Sequence, residues 1–253
     1  MADIPVVITF VLFVIGAILA FKIIKSVLKA LSLVVIVGVI LIASVSFFVY
    51  KDAADFRQNW QDSDKLVLLE YNGNIEAAIQ TTFTGDEPLL FDDDGLAEIN
   101  TAYINGELDK VKGDNYKIII IKLEPMLSEI KSENIVMENS KASISKAEAE
   151  DIINADNAQD EINKLSAGYG NMGIKEDLDN SKVKSIVSAL LIKQLAEEKG
   201  SKFGVYIIES YKSGDITIYP ETAMFRLIKF MPNFIIEGIS GFSQKEGDNN
   251  GNT

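Results

Sequence analysis

The chain has 253 residues, 24 bases against 37 acids for a formal net charge of −13, and neither cysteine nor histidine. Without cysteine there are no disulfides, thiolate nucleophiles, iron–sulfur clusters or zinc–cysteine sites, and without histidine there is no Ser-His-Asp chemistry, imidazole metal ligation or histidine pH switch. The charge is also uneven: residues 1–50 hold three lysines and one acid, a net of +2, while the rest carries −15. Phosphate contacts need clustered Lys and Arg, so DNA and RNA are not expected partners. The sequence contains no cofactor fingerprint, and no cofactor is expected.

Residues 4–21, IPVVITFVLFVIGAILAF, carry no charge and as a helix reach about 27 Å; residues 30–50, ALSLVVIVGVILIASVSFFVY, reach about 32 Å, against a hydrocarbon core of about 30 Å. Both lengths predict membrane spans. The connector KIIKSVLK carries Lys22, Lys25 and Lys29, whose stems can snorkel while the chain turns back, giving a transmembrane helical hairpin over 1–50. A signal peptide would want a basic start, a shorter apolar core and a small-residue cleavage site; here Asp3 opens the chain and a second span follows. Gly16 and Ala20 lie four apart on one helix face, a spacing that permits close helix–helix approach, and Phe47, Phe48 and Tyr50 form an aromatic belt at the exit. Base density in the connector exceeds that of Lys51, Arg57 and Lys65 on the exit side. This predicts a cytoplasmic connector and an extracytoplasmic soluble domain, integral to the plasma membrane.

Residues 51–64, KDAADFRQNWQDSD, continue as a stalk or first packing helix with Ala53, Phe56 and Trp60 along one side. An acidic α+β domain is expected over 65–242. KLVLLEYNGNIEAAIQTTF reads as a hairpin turning at Tyr71-Asn72-Gly73-Asn74, because Asn-Gly suits the positive φ of a tight turn. A helix is expected near Gly95–Ile104, then a loop to Tyr116. KIIIIKLE, apolar on both faces, is a central strand covered on two sides. Capping boxes at Ser145–Glu148 and Asp156–Gln159 predict two short helices. Gly168, Gly170 and Gly173 break the chain, after which Val183, Ile186, Val187, Leu190, Leu191 and Leu195 trace one face of a core helix stopped by Gly200. FGVYIIE and ITIYP, joined by Ser210–Asp215, are expected to form a second hairpin, and Pro220 to open a helix ending near Pro232. NFIIEGISGF is a short apolar partner segment, and 243–253 has nothing to bury and is expected to be a disordered tail. The predicted fold class is an α+β soluble domain on an N-terminal two-helix transmembrane hairpin, and residues 65–242 are expected to fold without the hairpin.

The lysine-rich connector, LVLLEYNGNIEAAI, SKAEAEDIINADNAQDEI and IYPETAMFRLIKFMP together resemble uncharacterised archaeal membrane proteins. The resemblance covers most of the chain and implies an envelope location, with no activity attached.

Asp92, Asp93 and Asp94, followed by Gly95, are the metal candidates, since oxygen clusters bind Ca²⁺ or Mg²⁺. If Gly95 were the turn glycine of a calcium loop, however, the first and twelfth ligand positions would fall on Leu90 and Thr101, and acids at a helix start are also what the helix dipole favours. A Ser-Lys pair is the remaining nucleophile option, from Lys117 or Lys122 flanking the apolar strand and Ser143, Ser145 or Ser210, but no spacing ties one to another. AMFRLIKFM fits either a membrane-surface helix or a core helix. The core is favoured because its apolar residues spread widely around the helix. The expected function is therefore a membrane-anchored structural or interaction protein whose partner, beyond the lipid bilayer, is an envelope protein or a homo-oligomer. The alternative is a membrane-tethered hydrolase using carboxylates or a Ser-Lys pair, its catalytic residues unknown.

Overall fold

The computed structural model describes residues 32, 34–60, 62–81, 88–137, 142–170, 172–174 and 178–232, and divides the chain into two compact units, Met1–Lys51 and Asp52–Thr253. In the first unit the described residues form helix α1, Val34–Asn59, whose residues from Asp52 on belong to the second unit. α1 lies near the N-terminus and is long and apolar enough to cross a membrane, and none of its apolar window is buried. The Phe47 and Phe48 rings meet edge to face at 5.9 Å at the end of that stretch. The expected first span over 4–21, its lysine connector, the segment 233–242 and the tail lie outside the described residues.

The second unit is α+β, with a mixed five-stranded sheet. β1 (Lys65–Tyr71) and β2 (Asn74–Thr81) form the expected hairpin, with Asn72 at φ 51° and Gly73 at φ 82° making the tight turn. β3 (Leu89–Leu90), α2 (Asp93–Ile104) and α3 (Leu108–Lys112) then carry the chain over one face to β4 (Lys117–Lys122), which returns parallel to β1. The sheet order is β3-β2-β1-β4-β7, β7 being Ile216–Tyr219, antiparallel to β4. Period-two alternation sorts the core into two halves. Leu66, Leu68, Ile118 and Ile120 pack with α2 and α3 residues, while Leu69, Ile119 and Ile121 join the larger cluster on the other face. The two-sided burial expected of the IIII run is present, and it explains why β4 has no polar alternation.

The larger face is covered by α4 (Leu123–Glu129), α5 (Lys146–Asn154), α6 (Ala158–Tyr169), α7 (Asn180–Lys199) and α8 (Phe203–Ser213), with a small β5–β6 ladder (Asn134–Val136, Ser143–Ser145) at its side. α9, Ala223–Phe230, closes the described chain. Ser145 and Glu148 form the anticipated capping box at α5. The expected box at Asp156–Gln159 does not form: Asn157 caps α6 by accepting from the Asp160 N–H, without a reciprocal bond to the cap's own backbone.

Several elements differ from the sequence reading. Phe203–Ser213 is a helix and not the first strand of a hairpin. Its buried residues, Tyr206, Ser210 and Tyr211, fall at helical spacing, and Gly214 at φ 86° supplies the left-handed cap where a hairpin turn was expected. Only Ile216–Tyr219 pairs as a strand. Pro220 follows a cis peptide instead of opening a helix, and α9 begins at Ala223. The strand beginning at Lys117 ends at Lys122, and Leu123 and Glu124 belong to α4, whose first turn holds Pro125.

α7 is buried on more than its apolar stripe: Ser181, Lys184, Ser185 and Ser188 are buried as well. The reason lies at the sheet edge. β3 pairs only with Ile79 and Gln80, so Ala78, which faces Leu68 of β1 on one side, has no strand on its other side among the described residues. The Ser185 hydroxyl takes that place, accepting from the Ala78 N–H at 3.3 Å and donating to its carbonyl at 3.1 Å, while Lys184 Nζ pairs with Glu76 at 2.7 Å.

Candidate functional site

β1 and β4 each begin with a lysine, and the parallel register places Lys65 beside Lys117. Both are closed off from solvent, at 0% and 2% exposure. Lys65 Nζ donates to the Ser63 carbonyl at 2.6 Å and stands 5.2 Å from the Trp60 ring centre. Lys117 Nζ donates to the Pro220 carbonyl at 2.8 Å, with the Tyr116 and Phe225 rings at 5.3 and 5.5 Å. The rings also hold one another: Phe56 stacks on Trp60 at 4.4 Å, and Phe225 meets Phe56 and Tyr211 edge to face at 5.8 and 5.5 Å.

Burial lowers the pKa of both lysines. Asp64 and Asp62 pull against it at Lys65, and Asp55 and Asp52 do so at Lys117. The Tyr116 hydroxyl, which donates to Asp55 Oδ2 at 2.7 Å, is pushed well above its ordinary range by burial and by that bond. A similar arrangement lies behind Phe225. Glu221 accepts from Tyr211 and Lys229 and pairs with Arg226 at 3.4 Å, and those bonds hold its carboxyl below its usual range.

Desolvated amines of lowered pKa are the kind that serve as bases or Schiff-base nucleophiles. Here, however, each is sealed and hydrogen-bonded to a backbone carbonyl, and the arrangement does something else chemically. It fastens the last turns of α1, the starts of β1 and β4, and the segment leading into α9 to one another through cation–π and charge-assisted bonds.

Of the proposed Ser-Lys components, Lys117 is buried against Pro220 instead of sitting exposed at a strand end, Lys122 is exposed, and Ser145 is occupied as the α5 cap. Ser210 lies in a 450 Å³ cleft with Lys199, Lys202, Glu129, Glu209 and Asp215, where Tyr206 is its side-chain partner and Lys199 pairs with Glu129. Lys65 escaped the sequence reading because it stands at the strand's first position, where a lysine is normally solvated. The available signal was the aromatic pair Phe56 and Trp60 just upstream.

The structure separates the three aspartates. Asp92 caps α2 by accepting from Gly95 N–H at 2.9 Å, and Asp94 is exposed. Asp93 reaches across to the start of α7, accepting from the Ser181 N–H at 2.7 Å and hydroxyl at 2.6 Å; these bonds keep its carboxyl below the ordinary value. Among the described residues no group of three or more acids is placed to hold a metal. A second cleft, of 600 Å³, is apolar, formed by Leu90, Met137, Met172, Ile174, Ile186 and Leu190 with Lys193 beside them. No protein-family model, curated protein or solved structure matches the chain.

Proposed function

We propose that the protein is a membrane-anchored structural or interaction protein: a two-span hairpin over 1–50 holds an acidic α+β domain on the outer side of the plasma membrane, where it binds another envelope protein or further copies of itself. The observation that carries this reading is α1, an apolar helix with nothing of its apolar window buried, joined in sequence to a folded acidic domain. Tethering raises local concentration, so contacts that are weak singly become effective. The buried lysine pair supports binding over turnover, because both amines are buried and already donate to backbone carbonyls.

Crosslinking in native membranes followed by mass spectrometry tests it. The expected result is a reproducible envelope neighbour or a homo-oligomer. On intact cells, an impermeant maleimide should label Asn249→Cys and spare Ser26→Cys. Absence of any neighbour, combined with peptide or glycan hydrolysis that vanishes on substituting one buried acid or lysine, would overturn the proposal in favour of a tethered hydrolase.

A further inference from the structure

α9 presents two different faces. Phe225 is buried, and Met224 and Ile228 pack on the core, so the sequence expectation of core packing holds for one side. On the other side Leu227 is 41% and Phe230 84% exposed, three residues apart and flanked by Arg226 and Lys229. The following sequence, residues 231–236, continues apolar with Met231, Phe234, Ile235 and Ile236. A large aromatic side chain left this open on an amphipathic helix calls for a partner.

The hydrogen bonding at its start indicates which partner. The α9 N-cap, Thr222, makes no side-chain capping bond. The Met224 N–H is taken instead by Asp52 Oδ2 at 3.1 Å, and Phe225 meets Phe56. Asp52 is the second residue after Tyr50, where the uncharged stretch ends, and two residues of chain extend at most about 7 Å. The first turn of α9 is thus bonded to the chain at the point where the apolar stretch gives way to charge, and the helix itself is only about 12 Å long.

We infer that α9 is an interfacial helix, with Leu227 and Phe230 dipping among the lipid head groups beside the point where α1 leaves the bilayer. This rests on the reading of α1 as a membrane span. Arg226 and Lys229 are engaged by Glu221 and the domain as a whole is acidic, so the apolar side chains and not charge attraction make the contact. Zwitterionic lipid is therefore sufficient.

The cysteine-free full chain allows a site-by-site test in phosphatidylcholine nanodiscs. Phe230→Cys, Val45→Cys within the apolar stretch of α1, and Val136→Cys, an exposed position on β5, are each labelled with an environment-sensitive fluorophore, and quenching by spin-labelled lipid is recorded. The expected result is strong quenching at 45, quenching at 230 exceeding that at 136 by about twofold or more, and little at 136. Quenching at 45 with none at 230 overturns the inference and leaves the membrane span standing. A blue-shifted but unquenched label at 230 overturns it too, showing that protein, such as a second copy, covers the face. No quenching at 45 overturns the span itself and the inference with it.

Discussion

At the residue scale the lysine pair makes an unusual demand. A buried ammonium whose pKa is lowered on folding binds its proton more weakly in the native state than in the unfolded one, so it works against stability at neutral pH. As pH rises toward the ordinary lysine value, the unfolded chain holds more protons than the native state and stability increases. Tyr116 and Tyr211, held protonated by burial and by Asp55 and Glu221, act in the opposite sense once the unfolded tyrosines ionise above about pH 10. Wild type should therefore gain stability relative to Lys65→Met/Lys117→Met over the alkaline window as pH rises toward about 10.4, the ordinary lysine value, and the gain should stop above it. Denaturant unfolding followed by circular dichroism at several pH values measures the difference. Parallel curves across the window would show that the amines are not desolvated.

At the scale of elements, edge and cap chemistry decides what packing alone does not. Ser185 is the only side chain described at both the N–H and the carbonyl of Ala78. Ser185→Ala should cost about 1–3 kcal/mol, the penalty for leaving buried polar groups unmatched, whereas a substitution at exposed Glu197 on the same helix should cost less than about 0.5 kcal/mol. Equilibrium unfolding of the two variants makes the comparison.

Local signals were readable in the sequence wherever a short-range rule operates: the Asn-Gly turn, the Ser145 cap, the apolar stripe of α7 and the two-faced β4. α8 was misread because FGVYIIE is rich in strand-favouring residues, and its fate depends on what lies opposite Tyr206, Ser210 and Tyr211. The pairing of Lys65 with Lys117 and the reach of Asp93 to Ser181 join residues 52 and 88 positions apart, and no local pattern announces either.

At the scale of the whole molecule, the segment before β1 matters more than a stalk would. Phe56 and Trp60 pack on the large core, Asp55 takes the Tyr116 hydroxyl, Asp52 takes the α9 amide, and the Lys65 ammonium lies over Trp60. A fragment of residues 52–242 should thus unfold at clearly higher temperature than one of 65–242, by a margin of about 3 kcal/mol or more if both rings and their stacking are lost. Thermal melts of the two fragments, read by circular dichroism, compare them. Equal midpoints would mean that the segment rides on the surface.

The Asp93–Ser181 bond joins α2, on one face of the sheet, to α7, on the other, around the same edge that Ser185 and Lys184 occupy. With the Ala78 peptide groups taken by Ser185, an incoming extended chain finds no free donor or acceptor at that point of the edge. On the proposed membrane-anchored reading, copies held in one plane meet constantly; that clasp is then protection against edge-to-edge aggregation, and loosening it would turn crowding into a hazard.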